Sequence, residues 1–159
     1  MTMGLKANSD GSGAVQVGGS DAITITSGLA ATFPSNVSVT GNVSLTAATS
    51  TLGYGTGSGG TVTQLTSKST TVTLNKSTGQ ITMNNAALAA NTTAAFLFSN
   101  SLLGSSDVLV VSLANFNTNY NLWAQVGSGG ATICLRNISA GSLSEAVTIN
   151  FAVIKGVTS

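Results

Sequence analysis

Apolar residues alternate with Ser and Thr along most of the chain, the period-two pattern of strands buried on one face. Beyond residue 60 the pattern predicts eight strands, at residues 61–66, 70–75, 79–84, 94–99, 107–113, 121–126, 131–137 and 146–155. Turn-forming clusters separate them: Lys76-Ser77-Thr78-Gly79, Gly104-Ser105-Ser106-Asp107, Gly127-Ser128-Gly129-Gly130 and Ala140-Gly141-Ser142. About 100 residues in eight short, evenly spaced strands are expected to fold as a β-sandwich or jelly roll. The large side chains fall in or beside these strands. Phe96 and Phe98 share one face; Ile149, Phe151 and Val153 form one stripe; Leu122 and Ala124 oppose Trp123. No segment reads as a long helix. Residues 86–95 come nearest, but Asn91-Thr92-Thr93 interrupts them, leaving a loop or one short turn.

Residues 1–52 differ. Their apolar positions come in brief clusters: Val15 and Val17, Ile23 and Ile25, Val37 and Val39, Val43 and Leu45. The stretch from Val37 to Leu45 reads as strand, Gly41-Asn42 turn, strand. So little large apolar surface cannot build a core alone. The segment is either a disordered tail or an extended β arm ordered by pairing with other chains, and the repeated short alternations favour the arm. On that reading Val15, Val17, Ile23, Ile25, Val37 and Val39 are the anchoring residues. Residues 53–60 contain five glycines and form a joint between arm and sandwich. A phosphate-cradling loop is not the reading, because the strand pattern of residues 61–66 follows it and no helix does. The joint is expected to be flexible or to allow a close backbone crossing.

Composition narrows the chemistry. The 159 residues include no His, one Cys, five Lys or Arg and four Asp or Glu, and the net charge is +1. Charged residues are 6% of the chain, against about 25% in typical soluble domains. General acid–base catalysis needs a tuned titratable group, most often His, and a Ser nucleophile needs an adjacent base. No Lys/Arg cluster offers an electrostatic footprint for nucleic acid. No apolar run reaches the ~20 residues of a membrane-spanning helix, and no secretory h-region is visible at the start, so synthesis in the producing cell's cytoplasm is expected. No cofactor is implied, and no His, Cys or carboxylate cluster suggests a metal. Cys134, in an alternating stretch, is expected to be a small buried packing residue. Low charge over a Ser/Thr-rich surface favours association, so copies of the chain itself are the first expected partner.

Three constellations carry alternatives. Arg136 and Glu145 flank the last turn and would face each other if the strands around it pair; they form either a solvated pair or an inter-subunit ion pair fixing register. Trp123 with Tyr120 is either core, the commoner place for a Trp in a sandwich, or an exposed sugar-stacking platform. The Asn-alternating stretch from Asn115 to Asn121 reads as a solvated loop at a sandwich end, with glycan contact through its amides as the alternative.

Four stretches, at residues 53–64, 68–76, 79–88 and 136–155, resemble a module of small bacteriophage virion proteins: capsid-decorating (cement or head-fibre) proteins and short tail-fibre proteins. The last stretch, Arg136-Asn-Ile-Ser-Ala-Gly-Ser-Leu-Ser-Glu-Ala-Val-Thr-Ile-Asn-Phe-Ala-Val-Ile-Lys155, carries most of the likeness. The resemblance implies a homotrimer with an N-terminal anchor, bound to the major capsid protein or another virion protein, and it brings no catalytic residues. Decoration of a capsid is the expected role. A tail fibre or receptor-binding module is the alternative, and an enzyme such as a glycan depolymerase fits least.

Overall fold

Three stripes of alternating residues close on one another in the interior. Phe96 and Phe98, then Ile133 and Leu135, then Ile149, Phe151 and Val153, are all buried. The computed structural model describes residues 3–7, 13–17, 20–21, 37–45, 48–115 and 117–158. The chain divides into two compact units, Met1–Ser50 and Thr51–Ser159.

In the first unit, β1 (Met3–Ala7), β2 (Gly13–Val17) and β3 (Ser20–Asp21) form an antiparallel three-stranded sheet. Met3 pairs with Val17, and Gln16 with Asp21. The strand–turn–strand expected at residues 37–45 is not formed. That stretch is irregular with a bend at Thr40 and Gly41, and Val37 and Val39 are 58% and 50% exposed. No strand among the described residues lies against it to complete a ladder, and isolated pairs with so little apolar surface are marginal in water.

The second unit is a sandwich of two four-stranded sheets, with a strand at each of the eight expected places. The first sheet runs β5 (Val72–Thr73), β7 (Thr93–Ser99), β10 (Gly130–Asn137), β9 (Tyr120–Gly127). The second runs β4 (Thr61–Thr63), β6 (Thr78–Thr82), β11 (Thr148–Ile154), β8 (Val108–Leu113). The chain crosses between sheets at every connection except the β9–β10 hairpin. There Gly129, at φ 79°, supplies the left-handed residue of a two-residue turn. Pairing is antiparallel except at one outer strand of each sheet: β4 runs parallel to β6, and β5 to β7.

Phe98 and Phe151 face each other across the sandwich, ring centroids 4.8 Å apart at 58°. Such a tilted pair adds about 0.5–1.5 kcal/mol beyond the area it buries. Ile81, Met83, Ile133, Leu135 and Ile149 surround it, each fully buried, at roughly 1.5–3 kcal/mol of transfer free energy per side chain. The Gly-rich stretch makes a close backbone crossing at its end. The Gly60 carbonyl accepts from the Gln80 amide at 2.9 Å, and a Cβ on Gly79 would lie 2.2 Å from that oxygen.

Strands this short leave long connections, and buried amides hold them. Asn137 donates to the carbonyls of Leu88 (2.9 Å) and Gly141 (2.7 Å) and accepts from the Ser139 amide (2.9 Å). Asn100 donates to Lys76 O at 2.8 Å and accepts from the Leu102 amide at 3.0 Å. Gln64 donates to Thr70 O at 2.7 Å and accepts from the Asn84 amide at 3.2 Å. Each side chain stands in for ladder bonds that a longer strand would supply.

Candidate functional site

Among the described residues Lys68, Tyr120 and Glu145 gather in one place and Asp107 with Lys155 in another, and both clusters are structural ties. Lys68, 4% exposed, donates through its ammonium to the main-chain carbonyls of Asn84 and Glu145, each at 2.7 Å. Burial lowers its pKa, and the Glu145 carboxylate opposes that shift. Glu145 is held below the ordinary carboxyl range by its own main-chain N–H, with Tyr120, Asn117 and Lys68 adding to the effect. The buried Tyr120 hydroxyl closes no hydrogen bond, although Glu145 lies beside it; burial first, then that carboxylate, push it up to about 12. At the other place Asp107 accepts from the amides of Gly104 (2.8 Å) and Gly156 (3.0 Å) and from the Lys155 ammonium, which also donates to Leu102 O at 2.9 Å. The two amides and the ammonium hold Asp107 down to about 2.

This arrangement suits holding loops more than moving protons. The contacts that lower the Glu145 carboxyl make it a weaker base than an ordinary glutamate. The Lys68 ammonium is engaged by two carbonyls. Cys134 is buried, and burial raises its pKa, which keeps the thiol protonated. Among the described residues no three His, Cys, Asp or Glu side chains come together as metal ligands.

The surface features of this unit are the outer faces of the two sheets. On the second sheet Val110 pairs with Ala152 and Val108 with Ile154, and all four face outward. The segment before the sandwich lies against them: the Tyr54 hydroxyl donates to the Val153 carbonyl. Leu52, Gly53, Tyr54, Ala152, Ile154 and Lys155 enclose an open depression of about 470 Å³, and Leu52 is 88% exposed on its rim. On the first sheet the outward rows, read across β7, β10 and β9, are Thr93–Arg136–Asn121, Ala95–Cys134–Trp123 and Leu97–Thr132–Gln125. Trp123 is 40% exposed, and Leu97, two strands away on β7, is exposed as well.

Comparison with protein-family models, with curated proteins and with solved structures returned no match. The site is therefore read from this chain's own residues.

The sequence-derived candidates fall as follows. Val15 and Val17 lie on β2. Ile23 and Ile25 lie outside the described residues. Val37 and Val39 lie in the exposed irregular stretch. Arg136 and Glu145 do not face each other across a hairpin, because β10 pairs with β7 and β9 while β11 pairs with β6 and β8. The turn between them crosses from one sheet to the other. Tyr120 and Trp123 part company too: three positions apart on a strand, they take opposite faces, Tyr120 inward and Trp123 outward. The expected core Trp is thus a surface residue. Leu122 and Ala124, which alternate with it, take the inner face. The outer-face rows were not visible in the sequence, because they depend on the register of the β9–β10 hairpin and on its pairing with β7, distant in the chain.

Proposed function

We propose that this chain is a non-catalytic structural protein of a bacteriophage particle, a homotrimer that decorates and stabilises the capsid surface as a cement or head-fibre protein. The observation that carries the reading is an apolar patch at one end of the second sheet's outer face, where Val108, Val110 and Ile154 stand exposed around the half-buried Ala152 and beside Leu52. A face of this kind is costly on a free monomer and is stabilised when neighbouring subunits cover it. Copies of the chain and the major capsid protein, or another virion protein, are the partners. The resemblance of residues 136–155 to virion proteins supports the same reading, and that stretch includes the whole of β11.

The finer fold belongs with this proposal: a jelly-roll-like sandwich, wound by alternating between its two sheets, preceded by an extended anchoring arm whose strands add to partner chains. The protein is made in the host bacterial cytoplasm and resides on the virion. Nucleic acid and membrane are not its partners, in keeping with a net charge of +1. A tail-fibre or receptor-binding role is the second reading, favoured by the exposed Trp123. Peptide mass mapping of purified particles from the producing phage, separated into heads and tails, tests it. The chain in the head fraction at capsid-lattice stoichiometry is the expected result. Its recovery with tails selects the second reading, and its absence from particles overturns both.

A further inference from the structure

We infer that the outer face of the first sheet binds a carboxylated sugar, as found in acidic surface polysaccharides, with Trp123 and Arg136 as the recognition pair. This goes beyond the structural role and holds for a capsid or a tail location alike.

Trp123 and Arg136 occupy adjacent strands of one antiparallel ladder. Trp123 pairs with Cys134, and Arg136 with Asn121. The indole and the guanidinium are therefore diagonal neighbours on one face, with backbones about 7–8 Å apart. That separation suits one pyranose ring lying on the indole with its carboxylate reaching the guanidinium. The residue between them is small: Cys134 is 8% exposed and flanked on its other side by Ala95. Nothing bulky in the row stands above the indole.

The charges select the ligand's sign. Arg136 is exposed, and the one salt bridge among the described residues is Lys155 with Asp107, so no carboxylate there neutralises it. A guanidinium left free beside an exposed Trp complements a planar anion, which it can grip with two parallel N–H bonds. The remaining outward side chains suit sugar hydroxyls. Asn121 lies in the Arg136 row, and Thr132 with Gln125 in the row on the far side of Trp123. Thr132 and Gln125 also line an open depression of about 400 Å³ that runs to the β9–β10 turn, giving room for a second ring. The face sits on β10, paired on both sides, so the groups are held by a rigid ladder. A purely apolar partner would leave Arg136, Asn121 and Gln125 without hydrogen bonds.

Trp123 is the only Trp in the chain, so fluorescence excited selectively at tryptophan reports this face alone. The full-length protein is titrated with oligogalacturonate, with maltotriose as the neutral sugar and acetate as the bare carboxylate. Oligogalacturonate is expected to change the emission saturably at millimolar concentration or below, and the other two to do so at least tenfold more weakly. Arg136→Gln keeps the reporter and should weaken oligogalacturonate binding about tenfold, the loss of one charge-assisted contact. Trp123→Ala, followed by calorimetry, should abolish it. Equal response to maltotriose, equal competition by acetate, or an unchanged Arg136→Gln titration overturns the proposal. So does a Trp123 already shielded from acrylamide in the unliganded protein, with Trp123→Ala dissociating the oligomer, since the face would then be a subunit interface.

Discussion

Lys68 and Glu145, far apart in the chain, are joined by a 2.7 Å hydrogen bond from the ammonium of one to the main-chain carbonyl of the other. The same ammonium holds Asn84 O at 2.7 Å. One buried side chain thus ties the connection after β4 to the chain leaving β6 and to the chain entering β11.

Lys68→Met is expected to destabilise the protein by about 2–4 kcal/mol. It leaves two carbonyls without their donor, and hydrogen bonds to charged groups are worth about 1.5–3 kcal/mol each before relaxation. Urea unfolding followed by circular dichroism measures this as a lower midpoint. An unchanged midpoint would mean that water replaces the ammonium without loss.

Acid should loosen the second tie. Asp107 is held at about 2 in the folded chain, below the ordinary value of 3.8. A carboxyl depressed on folding contributes stability that is complete above the ordinary value and disappears as pH falls through the folded one. The unfolding midpoint is therefore expected to drop between about pH 4 and pH 2. Glu145, also depressed, adds to the fall in the same direction. Asp107→Asn should lower stability at pH 7 and flatten this acid limb. A limb of unchanged steepness in the variant would assign acid sensitivity elsewhere.

Strand positions were legible because each strand buries one face, so Phe96/Phe98 and Ile149/Phe151/Val153 announce themselves by alternation. Which sheet a strand joins was not legible. Within the sandwich, consecutive strands are partners only at β9–β10, so the hairpin reading of Arg136 and Glu145 failed where the chain changed sheets. Trp123 failed for a different reason: Asn121 and Gln125, which share its face, are polar and mark that face as outward, but the size of the indole suggested the core. Lys68 gave no signal, since a buried lysine satisfied by two carbonyls leaves no mark on the local pattern.

Gly79→Ala is expected to destabilise the second sheet. A methyl there would sit 2.2 Å from the Gly60 carbonyl oxygen and 3.1 Å from the Phe151 ring, so main chain must move and the parallel β4–β6 pair opens. Gly141→Ala, which meets nothing within 4 Å, is the control. Thermal unfolding should fall for the first by about 2 kcal/mol or more, within the range of overpacking and strain, and hardly move for the second.

Assembly through the apolar face has its own test. Val110→Asp and Ile154→Asp alter exposed side chains, so each variant should keep the circular dichroism spectrum of the parent. Sedimentation at micromolar concentration is expected to show a trimer for the parent and a monomer for the variants, because an unpaired carboxylate would be buried in the interface. A monomeric parent would remove the trimer from the proposal, and trimeric variants would move the interface to another surface.

On the proposed reading residues 1–52 attach the protein to the particle, and the charges there decide how that attachment should behave. The segment carries only Lys6, Asp10 and Asp21, so screened attraction between charges cannot dominate its binding. Alternating Val/Ile and Ser/Thr offer main-chain hydrogen bonds and small apolar contacts instead, the groups used when a strand adds to a partner's sheet edge. Ile23 and Ile25 share one face of such a strand, and burying one Ile is worth roughly 1.5–3 kcal/mol. Three arms in a trimer multiply the effect by raising the local concentration of the second and third. Removal of residues 1–52 is expected to leave a folded sandwich, since both sheets and the core lie beyond it, but one that no longer binds particles. Binding of the intact protein, read by co-sedimentation with particles lacking it, should survive molar salt. Ile23→Asp should weaken it far more than Lys6→Ala or Asp10→Ala. Release by salt with Ile23→Asp tolerated would show that charge holds the protein in place, and normal binding by the truncated protein would move the anchor into the sandwich.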